Sequence, residues 1–172
     1  MESLNELLED CIKDLYSAEN QLVKALPKMA KKAASESLRE AFLAHLEETE
    51  GQVERLESIG KALDIKLKGK KCKAMEGLIE EGKEILEEEG RSAIIDSALI
   101  AAAQKVEHYE IASYGTARTI AEQLGESKVA KLLQETLDEE GEADKKLTSL
   151  SIEEILPAAS SDGEEEEAEE EE

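Results

Sequence analysis

Leu4, Leu7, Leu8, Cys11, Ile12, Leu15, Leu22, Leu26, Met29 and Ala33 recur at the spacing that a helix gathers onto one side. The repeat predicts a first long helix over roughly residues 3–33, with Pro27 interrupting its interior and bending it. Ser37-Leu-Arg-Glu40 reads as a capping box. Leu38, Phe42, Leu46, Val53, Leu56 and Leu63 then mark one face of a second helix that fades near Asp64. A third long helix starts near Ser92, with Ile94, Ile95, Ala98, Leu99, Ala102, Val106 and Ala117 on its buried side. Gly125 and Ser127 punctuate a turn. Val129, Leu132, Leu133, Leu137, Leu147 and Leu150 mark the fourth helix, and residues 151–156 add one last turn before Pro157. Between the second and third helices lie a basic, irregular stretch, residues 66–72, and an amphipathic run of Met75, Leu78, Ile79, Ile85 and Leu86 ending at Gly90. That segment is too long for a tight turn and reads as a short crossover helix joining two antiparallel hairpins.

The fold class is therefore all-α. Composition agrees: Glu, Lys, Leu and Ala abound, and the aromatics are Tyr16, Phe42, Tyr109 and Tyr114. At 172 residues the chain can bury one core. Residues 1–157 form the expected domain. Residues 158–172 form an expected disordered acidic tail, because glutamate repels glutamate and nothing there can fill a core. The net charge is −22; nine acids lie in residues 162–172, leaving −13 on residues 1–161. Such a surface repels phosphate backbones and anionic lipids, so neither nucleic acid nor membrane is expected as a partner. No apolar run approaches the ~20 residues of a membrane span. The polar, acidic start does not resemble a secretory signal, and a cytoplasmic location is expected. Cys11 and Cys72 form neither a disulfide framework nor a zinc pattern and read as reduced thiols.

The chemistry lies in the glutamates. Glu19 and Glu48 are equally distant from the turn at Ala33-Ala34-Ser35, and Glu110 and Glu139 are equally distant from Leu124-Gly125. Each pair falls at one height on its hairpin, ~20 Å from the turn at ~1.5 Å per residue. One offset maps Glu19 onto Glu110, Glu48 onto Glu139, Phe42 onto Leu133 and Leu46 onto Leu137, as expected of two packed hairpins. Glu19 follows Ile12 and Leu15 on the apolar stripe, and Glu110 follows Val106 and Glu107. Four carboxylates at one level of a bundle are costly without a cation or protons. A metal site is the leading reading, with helices that are simply rich in glutamate as the bland one. Oxygen ligands suit iron(II), manganese and magnesium.

His45 precedes Glu48 by one turn, so both can reach one ion; alternatively it is a hydrogen-bonded structural histidine. His108 reads as a surface residue. On the fourth helix Asp138, Glu139, Glu140, Glu142 and Asp144 crowd together. Glu140 and Asp144 share a face with Leu137 and Leu147, whereas Glu139 fits the repeat, and the alternatives stay open. Glu107 joins them as a further candidate ligand. Tyr16, Tyr109 and Tyr114 flank the glutamates, either as partners of a ligating carboxylate or as packing residues.

His45-Leu-Glu-Glu-Thr49, Cys72-Lys-Ala-Met-Glu-Gly-Leu78 and Ala101-Ala-Ala-Gln-Lys-Val-Glu-His-Tyr-Glu110-Ile-Ala-Ser-Tyr-Gly115 resemble the YciF/YciE family of bacterial ferritin-like proteins. Tyr16-Ser-Ala-Glu19 and Ala121-Glu-Gln-Leu-Gly125 belong to the same resemblance, which covers nearly all of residues 3–150. It implies a ferritin-like antiparallel four-helix bundle with the crossover helix between its second and third long helices, a homodimer, and a link to bacterial stress. The wider superfamily holds two iron or manganese ions, using one Glu from each of the first and third helices and Glu-x-x-His from each of the second and fourth. Glu19 and Glu110 match the single glutamates. Glu48 and Glu139 are the candidates for the paired positions, yet Gly51 and Glu142 stand where histidines belong, and the chain contains no Glu-x-x-His. Two function classes follow. One is an iron- or manganese-binding protein with oxidase or peroxide-scavenging activity. The other is a non-enzymatic structural or stress protein with a degenerate site.

Overall fold

The computed structural model describes residues 1–161, and among them all regular structure is helical. The helices are α1 (Leu4–Lys32), α2 (Glu36–Ala62), α3 (Lys73–Glu87), α4 (Ser92–Gln123) and α5 (Ser127–Leu150), followed by one π turn, Ser151–Ile155. No helix among them is long and apolar enough to cross a membrane. α1 with α2, and α4 with α5, form hairpins; α2 also packs on α5 and α1 on α4, closing a ring of four. Neighbours in the ring run antiparallel. Tyr109 reaches back to Asp14 while Asp96 reaches Ala34, and Arg55 meets Thr136 while Ser35 meets Glu154.

Local chemistry sets the ends. Ser3 caps α1 by accepting from the Glu6 N–H at 3.2 Å. The helix runs through Pro27, which lies on its exposed side, where the carbonyl it leaves unpaired can meet water. Gly125 closes the α4–α5 turn at φ +79°, a backbone region that glycine enters without steric cost. Crossover helix α3 lies on α1 and α4. Its N-cap residue is pinned there: the Cys72 N–H donates to Ser17 Oγ at 2.9 Å, and Gln21 Nε2 donates to the Cys72 carbonyl at 3.1 Å. Cys11 and Cys72 are both free.

Two expectations change. The capping box expected at Ser37 is not used; Ser35 caps α2 instead, accepting from the Leu38 N–H at 3.2 Å. The cause is distant in sequence. The Asp96 carboxylate on α4 accepts from the N–H groups of Ala34 at 2.9 Å and Ser35 at 2.7 Å, fixing the backbone so that α2 begins two residues early. At the other end, helical backbone continues past Pro157 to residue 161, where the sequence suggests a tail. The run is unbroken from α5 through the π turn, so Pro157 sits inside it and forgoes one backbone donor. The Ala159 carbonyl also accepts from Arg91 Nη2 at 2.8 Å. The rest of the expected tail, 162–172, lies outside the described residues.

The core has two apolar parts. One gathers Leu22, Leu26, Leu38, Phe42, Leu99 and Leu147 near the α1–α2 turn. The other gathers Ile12, Leu15, Leu56, Ile59, Ala117 and Leu133 near the α4–α5 turn. Between them Glu19, His45, Thr49, Gln52, Glu107, Glu110, Thr136 and Glu140 are buried.

Asp96 is 2% exposed, so its removal strands two N–H groups in a dry place. Asp96→Ala should lower unfolding stability by about 2–4 kcal/mol, since bonds to a charged acceptor are worth about 1.5–3 kcal/mol each and are not additive. Urea denaturation measures it; a loss below ~1 kcal/mol would mean that water replaces the carboxylate.

Candidate metal centre

Each polar group of the central layer occupies a position that helix phase reserves for the core. Glu19 stands one heptad from both Ile12 and Leu26. His45, Thr49 and Gln52 share the stripe of Leu38 and Leu56. Glu107, Glu110 and Tyr114 continue the stripe of Ala103. Glu140 stands one heptad from both Leu133 and Leu147. All four long helices therefore contribute, and the three glutamates Glu19, Glu110 and Glu140 are 0% exposed.

One ligand atom from each of His45, Glu107, Glu110 and Glu140 lies within 4.8 Å of all the others. His45 Nε2 is 3.4 Å from Glu107 Oε1 and 3.8 Å from Glu140 Oε2. Its Nδ1 is 3.3 Å from Glu48 Oε2, so with the proton on Nδ1 the Nε2 lone pair faces the cluster. Gln52 Nε2 donates to Glu140 Oε1 at 2.5 Å, and the Tyr114 hydroxyl donates to Glu19 Oε1. The remaining buried oxygens, Glu19 Oε2, Glu107 Oε2, Glu140 Oε2 and both of Glu110, have no hydrogen-bond partner. Carboxylate oxygens and an imidazole nitrogen gathered without donors form the ligand set of a hard or borderline cation. The residues present fit an iron or manganese ion.

Electrostatics point the same way. Burial holds Glu19 well above its ordinary range, helped by the Glu140 charge and opposed by the Tyr114 hydrogen bond. Burial does the same to Glu110, reinforced by Glu19, Glu140 and Glu107. Glu107 rises through burial and then Glu140; Glu140 rises through burial, against His45 and Gln52. The Tyr114 phenol is also driven up, by burial and then by Glu19, so it stays a donor. Glu48 moves down because His45 hydrogen-bonds it.

Of the sequence candidates, Glu19, His45, Glu107, Glu110 and Glu140 come together. Glu48 does not: its side chain is 51% exposed and touches the layer only through the outer nitrogen of His45. Glu139 stands at the edge of the layer: Gln52 Nε2 donates to its Oε2 at 3.1 Å, and the Arg55 guanidinium donates to both its oxygens at 2.9 and 2.8 Å. Asp144 accepts from Gln104 at 3.0 Å and faces His108, which is 70% exposed. Gln52 is a member that the glutamate pattern does not reveal, although it lies two turns from His45 on the same stripe. Beside the layer a cavity of about 370 Å3 opens between the long helices, reaching His45 and Glu107 past Leu22, Phe42 and Leu147. Glu48, Asp138, Glu142 and Lys146 also line it.

The chain has relatives among known proteins. The chain is 54% identical over 153 residues to protein YciF of Escherichia coli strain K12, covering 88% of this chain and 92% of that protein. Its fold matches the crystal structure of the E. coli stress protein YciF with a TM-score of 0.86, over 88% of this chain and 96% of the other. YcfI of Rhodopseudomonas palustris, named as a candidate structural protein, matches at a TM-score of 0.84 and 42% identity, over 87% and 95% of the two chains. A protein of Xanthomonas campestris shares the fold at 18% identity, with a TM-score of 0.74 over 94% and 99%. The model of the domain of unknown function DUF892 matches residues 3–160, and the chain belongs to that family.

Proposed function

We propose that the protein is a ferritin-like, stress-associated metal-binding protein that holds iron or manganese, as one ion or two, in the central layer of its helices. The observation behind this reading is the set of five unpartnered carboxylate oxygens buried with His45 Nε2 inside the bundle. Glu107, Glu110, Glu140 and His45 are the ligands, with Glu19 beside them. Glu48 orients the His45 ring, Gln52 fixes Glu140, and Tyr114 fixes Glu19, as the hydrogen-bond partners of metal ligands do. Held by these residues, iron or manganese would supply activation of oxygen or peroxide, the chemistry of an oxidase or a scavenger. The relationship to a stress protein fits that use. We further propose a cytoplasmic homodimer. Ile94, Ile152 and Leu156 stay exposed near the start of α4 and the end of α5, and their burial in a dimer would remove apolar surface from water. Light scattering that gives a monomer at all concentrations would refute the dimer.

The second reading is a structural protein whose layer is held by shared protons. It draws on the candidate structural role of YcfI and on the hydrogen bonds from Gln52 and Tyr114 that already satisfy two oxygens. The two readings differ in sign with pH. Carboxyls raised above their ordinary 4.5 contribute stability that is complete below that value and is lost as pH rises through their folded values. Metal-free protein should therefore melt at lower temperature at about pH 8 than at about pH 5.5, and Glu110→Gln should flatten that slope. A metal needs the deprotonated carboxylates, so its stabilisation grows with pH and should offset the loss.

Calorimetry with manganese(II) tests the site directly. Glu110→Ala and Glu140→Ala should abolish saturable binding, Glu48→Ala should weaken it roughly 10–100-fold, and Asp144→Ala should leave it unchanged. If manganese(II) and iron(II) neither bind to the native chain nor raise its melting temperature at about pH 8, the structural reading stands.

A further inference from the structure

A second cavity, of about 200 Å3, lies where α3 crosses α1 and α4. Its inner wall is Leu22, Met29 and Val106, and its outer wall is the apolar side of α3: Leu78, Ile79 and Leu86. The floor between them is kept open by a missing side chain. Gly82 is buried in the middle of α3, yet a Cβ added there would meet no atom within 4 Å. Protein interiors are close-packed, and a buried helical glycine ordinarily marks a place where a neighbour presses in. Here nothing does, although glycine is among the poorest helix formers. Ala25 and Ala102 widen the same space.

The mouth has one sign of charge. Lys24, Lys28 and Lys83 line it, and no carboxylate does. The chain holds 43 acidic residues against 21 lysines and arginines, so such a local reversal runs against composition. None of these three ammonium groups has a hydrogen bond or ion pair among the described residues. All three are exposed, so they can meet an anion without being buried.

We propose that this cavity binds a soluble medium-chain aliphatic carboxylate, its tail against Leu78, Ile79 and Leu86 and its head among Lys24, Lys28 and Lys83. The size suits a short chain, since an engineered apolar cavity of about 150 Å3 holds a benzene. An amine of the same length would bring a fourth positive charge to the rim, and a neutral alcohol would leave the lysines without a counter-charge. Leu22, Met29 and Val106 also line the cavity beside the metal layer, but none of His45, Glu107, Glu110 and Glu140 lines this one, so it can be tested on metal-free protein.

The test is calorimetric titration of the full chain, freed of metal, with octanoate, octylamine and octanol. Octanoate should bind saturably at one site per chain, and the other two at least tenfold more weakly. Gly82→Leu should fill the floor, abolish octanoate binding and raise the melting temperature by a few degrees. Lys24→Gln, Lys28→Gln and Lys83→Gln together change only exposed positions; they should weaken octanoate at least tenfold with the fold intact, which keeps the test decisive if Gly82→Leu does not fold. Absence of octanoate binding, equal binding of octylamine, or unchanged affinity in the triple lysine variant would each overturn the proposal.

Discussion

Four glutamates and one imidazole are buried at one height across all four long helices, and the mutual repulsion of the carboxylates is the constraint around which the rest is arranged. Each occupies a place where a leucine would pack. The two apolar parts of the core supply the association energy on either side, and the layer between them consumes some of it. Such a layer persists only when protons, donors or a cation offset its charge. Gln52 and Tyr114 provide donors to two oxygens and leave the rest facing inward.

Much of this is legible in the chain. The helical repeats locate four long helices and the crossover, because apolar periodicity is local and strong. The height of the layer is legible too, since hairpin symmetry fixes it. Phase about each helix is a separate matter. Glu48 lies one turn from His45 but falls about 60° short of a full revolution, enough to carry it to solvent. Glu139 has the right height, yet Glu140 has the phase, one heptad from Leu133 and Leu147. Symmetry ranks Glu139 higher; packing chooses its neighbour and gives Glu139 to Arg55. The start of α2 is hidden for another reason, because its determinant, Asp96, lies on a different hairpin.

The crossover helix has a role beyond connection. Tyr109, the neighbour of Glu110, bonds Asp14 at 2.6 Å and touches Cys72 Sγ at 2.9 Å. Burial and the Asp14 bond drive its phenol well above the ordinary range. The network ties the start of α3 to α1 and α4 beside the central layer. The same helix leaves a gap at Gly82, so its attachment is firm at one end and its packing incomplete in the middle.

The Asp96 clamp has a consequence for alignment. Apolar stripes built from three- and four-residue steps look nearly the same after one helix slides past another by a turn, ~5.4 Å. Leucine against leucine cannot reject that slip. A carboxylate seated on two particular N–H groups can, because a one-turn displacement leaves both donors and the anion without partners. Asp96 thus acts as a register pin between hairpins that share no covalent link nearby, and it sets Glu107 and Glu110 level with Glu19 and His45.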